Sequence, residues 1–155
     1  MRNSSRSTIN KNRTYKKRAV SLSFDSRKLK VFPKINNEME VAELKLSNNP
    51  LKNFQGMRQL PSLKSLRCDH TEIESFQHAL LQPNLTNLNI SKTPVSMFQF
   101  YRLMSIIVFG DSLEIVNFIP LKQGEKNKAR FLRDRLFGFL VDGWSGHIDS
   151  HGCDC

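Results

Sequence analysis

The sequence predicts an α/β solenoid, in which short parallel strands stack into one concave sheet, tight turns cover the convex side, and a helical cap closes the C-terminal end. Three observations carry this. Leu22, Leu44, Leu66 and Leu88 recur every 22 residues. Apolar side chains keep fixed offsets from each of them: Phe24, Leu46, Cys68 and Ile90 come two later, Leu29, Leu51, Ile73 and Val95 seven later, Phe32, Phe54, Phe76 and Phe98 ten later. The residues around each leucine alternate between apolar and polar, as half-buried strands do. Self-similarity at a period of about 20–29 residues marks units that cannot bury an apolar face alone and must stack on their neighbours.

Residues 1–18 precede the first unit. They carry Arg2, Arg6, Lys11, Arg13, Lys16, Lys17 and Arg18 and no acid. The whole 155-residue chain has a formal charge of +10, so this arm holds most of the excess. Such an arm is expected to be disordered, or to contact nucleic acid, an acidic protein or an anionic surface. Arg13, Lys16, Lys17 and Arg18 are the residues that would touch a phosphate backbone.

The strands follow in order. Ala19–Asp25 is a weak first copy, and 41–47, 63–69 and 85–91 are clear ones. Their parallel pairing follows from one strand per unit, with each chain return crossing the convex side. Pro61 and Pro83 stop any helix just before the next strand, leaving room for one turn of 3₁₀ or α-helix. Five residues after each leucine stands Arg27, Asn49, Thr71 or Thr93. An Asn amide there can bond backbone groups that turn away from the strand, and a Thr hydroxyl can do part of that job. Arg27 cannot, so the first unit should be irregular.

After Phe98 the spacing breaks. Ile106, Val108, Asp111, Leu113 and Val116 resume the columns only 18 residues after Leu88. The stretch 98–109 is expected to hold a short helix and then a last strand, in which Ser105, Ile107 and Phe109 face outward. Residues 126–141 place Ala129, Leu132, Leu136, Phe139 and Leu140 at helical spacing, an amphipathic pattern. Its plainest role is to cover the end of an open core. Gly143 should end it, with Trp144 packed against the cap. The expected organisation is a basic arm over 1–18, a repeat domain with its cap over 19–120, a capping helix over 121–143 and a flexible tail over 144–155.

Together these residues resemble a known family. The Leu-x-x-Leu-x-Leu-x-x-Asn-x-Leu-x-x-Phe unit, closed by Leu-Pro-x-Leu at Leu60 to Leu63, is similar to the short, intracellular class of leucine-rich repeats, which includes nuclear regulators of type-one protein phosphatase. The segment 101–107, followed by Leu113 to Asn117, resembles the cap of that class, with a closely similar cap in the spliceosomal A-prime protein. Asn117 stands where that pattern has Asp. The resemblance covers residues 19–120 and implies a leucine-rich-repeat solenoid with no catalytic residues of its own.

Side chains that alternate away from the core should form the binding surface. Glu43, Lys45, Arg67, Asp69, Asn87 and Asn89, with Ile107 and Phe109 at its end, are the expected contacts. Long charged groups in the middle of such a face can set partner choice. The face lacks the dense basic and aromatic mix that suits single-stranded nucleic acid, so a protein or peptide partner fits better. Neither a Gly-rich phosphate loop nor a Gly-x-Ser-x-Gly turn occurs, and no catalytic site, cofactor or metal centre is assigned. His147, His151, Cys153 and Cys155 have partial zinc spacing, but Cys-x-Cys is tighter than structural zinc sites use. The remaining expectations are a monomeric, non-enzymatic adaptor, located in the cytoplasm or nucleus and without a membrane span.

Overall fold

A computed structural model describes residues 18–144. Six strands form one sheet in chain order: β1 (Val20–Ser23), β2 (Val41–Lys45), β3 (Ser65–Arg67), β4 (Asn87–Asn89), β5 (Ile115–Val116) and β6 (Ile119–Pro120). The first five are parallel, and β6 folds back antiparallel on β5. Leu22, Leu44, Leu66, Leu88 and Val116 stand side by side across the sheet. The first four are the 22-residue column, so the period is a register. The chain is a leucine-rich-repeat-like solenoid.

The core is the stack of those columns. Leu44, Leu66, Leu88, Leu46, Cys68, Ile90, Leu51, Ile73 and Val95 are all buried. Burial pushes the Cys68 thiol well above its ordinary pKa, which leaves it protonated and inert. Phe32, Phe54 and Phe76 form a ladder on the convex side, with ring centroids 5.7 and 6.0 Å apart. Phe98, the fourth of that column, is only half-buried. Phe109 takes its place, edge-on to Phe54 at 5.4 Å and to Phe76 at 6.1 Å.

The polar column does its expected work. Asn49 donates to Leu46 O and Phe24 O at 2.9 and 3.0 Å and accepts from the Arg27 and Leu29 amides at 2.9 and 3.0 Å. Thr71 makes only the bond to the strand carbonyl three residues back, at 2.8 Å, and Thr93 makes the same bond at 2.6 Å while also accepting from the Ser96 amide at 3.3 Å. The position before it repeats as a conformation: Ser26, Asn48, His70 and Lys92 all have φ between 54° and 58°. Asn48 and, less so, His70 are residue types that favour this left-handed turn, whereas Ser26 and Lys92 are not.

The C-terminal region departs from the sequence reading. Residues 101–109 are one helix, α1 (Tyr101–Phe109), and the last parallel strand comes later, at β5. Ile106 and Val108 are therefore helical, and Val116 lies 28 residues after its register partner Leu88. Asp111 holds arginines instead of filling the Asn column. That column's part passes to Asn117, whose side chain accepts from the Ile90 amide at 2.8 Å. The apolar run misleads because residues 104–109 are all buried, between the repeats on one side and a second helix on the other. A helix apolar all round has no visible period. Gly110 ends α1 at φ 111°, where a Cβ would sit 2.9 Å from Leu81 Cδ1.

The second helix, α2 (Gln123–Val141), packs on α1. Arginines hold the two together. Arg133 donates to Ile106 O and Ile107 O at 2.9 and 3.1 Å, capping the C-terminal carbonyls of α1, and to Asp111 at 2.8 Å. Arg130 binds the other Asp111 oxygen at 2.9 Å. Arg102 grips Glu125 through two nitrogens, at 2.8 and 3.1 Å, and reaches Pro120 O at 2.9 Å. Trp144, expected in the cap, is 38% exposed, held by its amide to Phe139 O at 2.9 Å.

Candidate functional site

The concave face is built from strand positions that point away from the leucine columns. Register places Glu43, Ser65 and Asn87 in one row and Lys45, Arg67 and Asn89 in the next. Neighbours in a row are about 4.8 Å apart, the strand spacing. A third row, Asp25, Ser47, Asp69 and Ser91, lies just beyond the strand ends.

These rows are joined by hydrogen bonds that cross from unit to unit. Ser21 Oγ donates to Glu43 at 2.6 Å, and Lys45 Nζ lies 3.3 Å from the same oxygen. The Ser21 bond is the main reason the Glu43 carboxyl titrates below its usual range, with Lys45 and Arg67 adding to it. Asp25 accepts from the Ser47 amide at 2.7 Å and from Ser23 Oγ at 3.1 Å. Ser47 Oγ donates to Asp69 at 2.6 Å, and Asn89 Nδ2 donates to the same oxygen at 3.2 Å. Asn89 Oδ1 in turn accepts from Ser91 Oγ at 2.7 Å.

Asp69 is the hub. It is buried, and burial is the strongest single influence on its carboxyl, pushing the pKa up. The bonds from Ser47 and His70, with the Arg67 charge, outweigh that and hold it below the ordinary value. His70 Nδ1 lies 3.0 Å from Asp69 Oδ2. The carboxylate is therefore ionised and fully engaged at neutral pH.

Arg67 sits beside this hub without sharing in its bonds. Its Nε is 3.5 Å from Asp69 Oδ1, close enough to feel the charge but not aligned to donate. Among the described residues, this Nε is the one buried side-chain nitrogen or oxygen with no hydrogen-bond partner. The side chain is 42% exposed. Arg67 therefore has its charge paired with Asp69 while its Nε hydrogen is left without an acceptor.

Of the expected contact residues, Glu43, Lys45, Arg67, Asp69, Asn87 and Asn89 lie together on this face. Asp69 and Asn89 are buried and serve as supports, while Arg67 and Lys45 stand higher. Ile107 and Phe109 do not belong here. Both are fully buried in α1, because the expected last strand is a helix wedged between the repeats and α2. Arg18 is exposed at the start of β1, and Arg13, Lys16 and Lys17 lie outside the described residues, as do His147, His151, Cys153 and Cys155. Sequence reasoning passed over Ser47 as a bridge between Asp25 and Asp69. The 22-residue spacing of all three was the available signal.

No protein-family model matches the chain, and no curated protein matches it. Eleven chains of solved structures are similar to it. One comes from the crystal structure of the Drosophila melanogaster SNF/U2A′ complex. It is 20% identical, covers 76% of this chain and 84% of its own, and superposes with a TM-score of 0.41. The solenoid assignment rests on the strand register and the 22-residue columns. Among the described residues no helix is long and apolar enough to cross a membrane.

Proposed function

We propose that this protein is a non-catalytic interaction module that binds a protein or peptide partner on its concave sheet. The observation that carries the reading is Arg67, a guanidinium with an orphaned buried Nε in the middle of a preorganised polar face. Ser47, Asn89 and His70 already satisfy Asp69, so the guanidinium keeps its donors for an incoming carboxylate or carbonyl. A face whose side chains are ordered beforehand loses little entropy on binding. Lys45, Glu43 and Asn87 supply the surrounding polar contacts. Affinity capture with the full chain, repeated with Arg67→Glu and Lys45→Glu, tests this. The captured proteins should be lost with both substitutions, and an unchanged set would refute the choice of face.

A second reading has its own observation, the seven basic residues and no acid in 1–18, ending at the exposed Arg18. The arm would then contact nucleic acid while the sheet holds protein. Binding of that kind weakens with salt at a log–log slope of about −0.7 to −0.9 per phosphate contact. Removing residues 1–18 should abolish RNA binding and its salt dependence, and retention of both would end the reading.

A further inference from the structure

Among the described residues, nothing packs on the outward aromatic side chains of α2. The helix buries Ala129 and Leu140 and half-buries Leu132, Leu136, Phe137 and Val141 against the core. Its opposite side exposes Phe131 by 73% and Phe139 by 62%. Arg135 lies between them, its guanidinium 5.8 Å from the Phe131 ring centre. Lys128 and Asp134 are exposed along the helix, and Asp142 is exposed at its C-cap, at the rim of a cleft shared with Glu74 and Gln77. Two large aromatic rings held in water two turns apart mark a contact surface.

The charges on this face identify its partner. Lys128 and Arg135 are balanced by Asp134 and Asp142, so the face is neutral on a chain of +10. The other α2 bases near the repeats are taken: Arg130 and Arg133 by Asp111, and Lys126 by Asp111 O at 3.3 Å. A neutral face draws in neither a phosphate backbone nor an anionic lipid surface. It suits a partner that is itself aromatic and charge-balanced.

The order of residues is self-complementary about Arg135. Lysine stands seven before it and aspartate seven after, phenylalanine four before and four after. In an antiparallel pair with its two-fold axis at Arg135, whatever lies n residues before the axis meets what lies n after it on the other copy. Lys128 then faces Asp142 of the second copy, and Phe131 faces Phe139 of the second copy, each contact occurring twice. These positions fall about 6 and 10 Å from the axis, within reach of helices crossing at about 20°. At the axis each Arg135 remains stacked on its own Phe131.

We propose that the exposed face of α2 is an isologous dimer interface that takes a second copy of this chain in antiparallel orientation, in place of the monomer expected from the sequence. One helix face per subunit puts the buried area at or below about 1,200 Å², the small end of the interface range. The dimer is accordingly weak, with a Kd on the order of 10–100 μM. The concave sheet stays free for a partner, so this proposal stands independently of the function proposed above.

Sedimentation equilibrium of the full chain from about 1 to 500 μM tests it. A reversible monomer–dimer equilibrium is expected, with Trp144 emission, just past the end of α2, shifting as the dimer forms. Phe131→Glu and Phe139→Glu should each weaken association at least ~10-fold. Lys128→Glu should weaken it roughly fivefold, and the exchange Lys128→Glu with Asp142→Lys should restore it. These side chains are exposed, so unchanged thermal melting of the variants shows that folding is intact. A monomer at every concentration, a dimer indifferent to both phenylalanine changes, or an exchange that fails to restore association would each overturn the proposal.

Discussion

The four repeats and the C-terminal cap solve the same problem, an open stack of apolar columns, by different chemistry. In the repeats neighbouring units share one set of devices: Leu at the register column, Phe32, Phe54 and Phe76 on the ladder, and Asn49, Thr71 or Thr93 to close the turn. Charge hardly enters the core. In the cap the apolar surfaces of α1 and α2 are clamped by arginines on carboxylates and helix-end carbonyls. The repeats are stabilised by periodic burial, the cap by individual polar contacts. Repetition can propagate a packing solution but cannot end one, because the last unit has no following unit to complete it.

The sharpest way to break this comparison lies where the regions meet. Phe109→Ala removes the ring that α1 sets edge-on against both Phe54 and Phe76, and should cost about 3–5 kcal/mol by chemical denaturation. A cost below ~1 kcal/mol would mean that the Phe ladder does not need the cap. Asn49→Ala strips four backbone groups of their partner, and a loss of about 2–4 kcal/mol is expected, against about 1 kcal/mol for Thr71→Ala, which breaks one bond. Equal losses would show that the Asn column is not the stronger device.

Acid should separate the two regions. Asp111 titrates below its usual value chiefly because of the Arg133 hydrogen bond, and Glu125 chiefly because of Arg102. A carboxyl depressed in the folded state stabilises fully above its unfolded pKa of about 4 and loses that contribution as pH falls through the folded value. Hydrogen-exchange protection of α2 amides should therefore fall below about pH 4 before that of β2 and β3, where Glu43 and Asp69 titrate low too but hold no helix in place. Simultaneous loss would refute an electrostatic cap. Arg133→Ala should produce the same loosening at neutral pH, at a cost of about 2 kcal/mol.

The smallest effects concern backbone strain. Phe118 sits at φ 65° in the β5–β6 hairpin and is 73% exposed, so it has strain without compensating burial. Phe118→Gly should stabilise by about 1 kcal/mol. Lys92→Gly, at φ 55°, should gain a similar or smaller amount. A fall in melting temperature for both would mean that the side chains contribute contacts outweighing the strain.

Much of this was legible from residues 19–98. Strict spacing put Leu44, Leu66 and Leu88 in register, and alternation then settled that Glu43, Lys45, Arg67 and Asn89 face away from them. Asn49 followed from the chemistry of an amide in a turn. The reading failed where period gave out: Ile107 and Phe109 looked like strand residues because an apolar run buried on every side carries no phase. Phe98 occupied the ladder column in sequence while Phe109 occupies it in space. Nothing in the spacing indicated that six further residues separate Leu88 from its register partner Val116, beyond the usual 22.

The solenoid, the register of β1 to β4 and the direction of those strands' side chains follow from a local periodicity repeated four times. Tertiary structure alone decided how the stack ends, which arginine meets which carboxylate, and that Arg67 is left with an unused donor while Asp69 is saturated. Those facts depend on groups far apart in the chain meeting at hydrogen-bond distance, and no repeating pattern encodes a contact made only once.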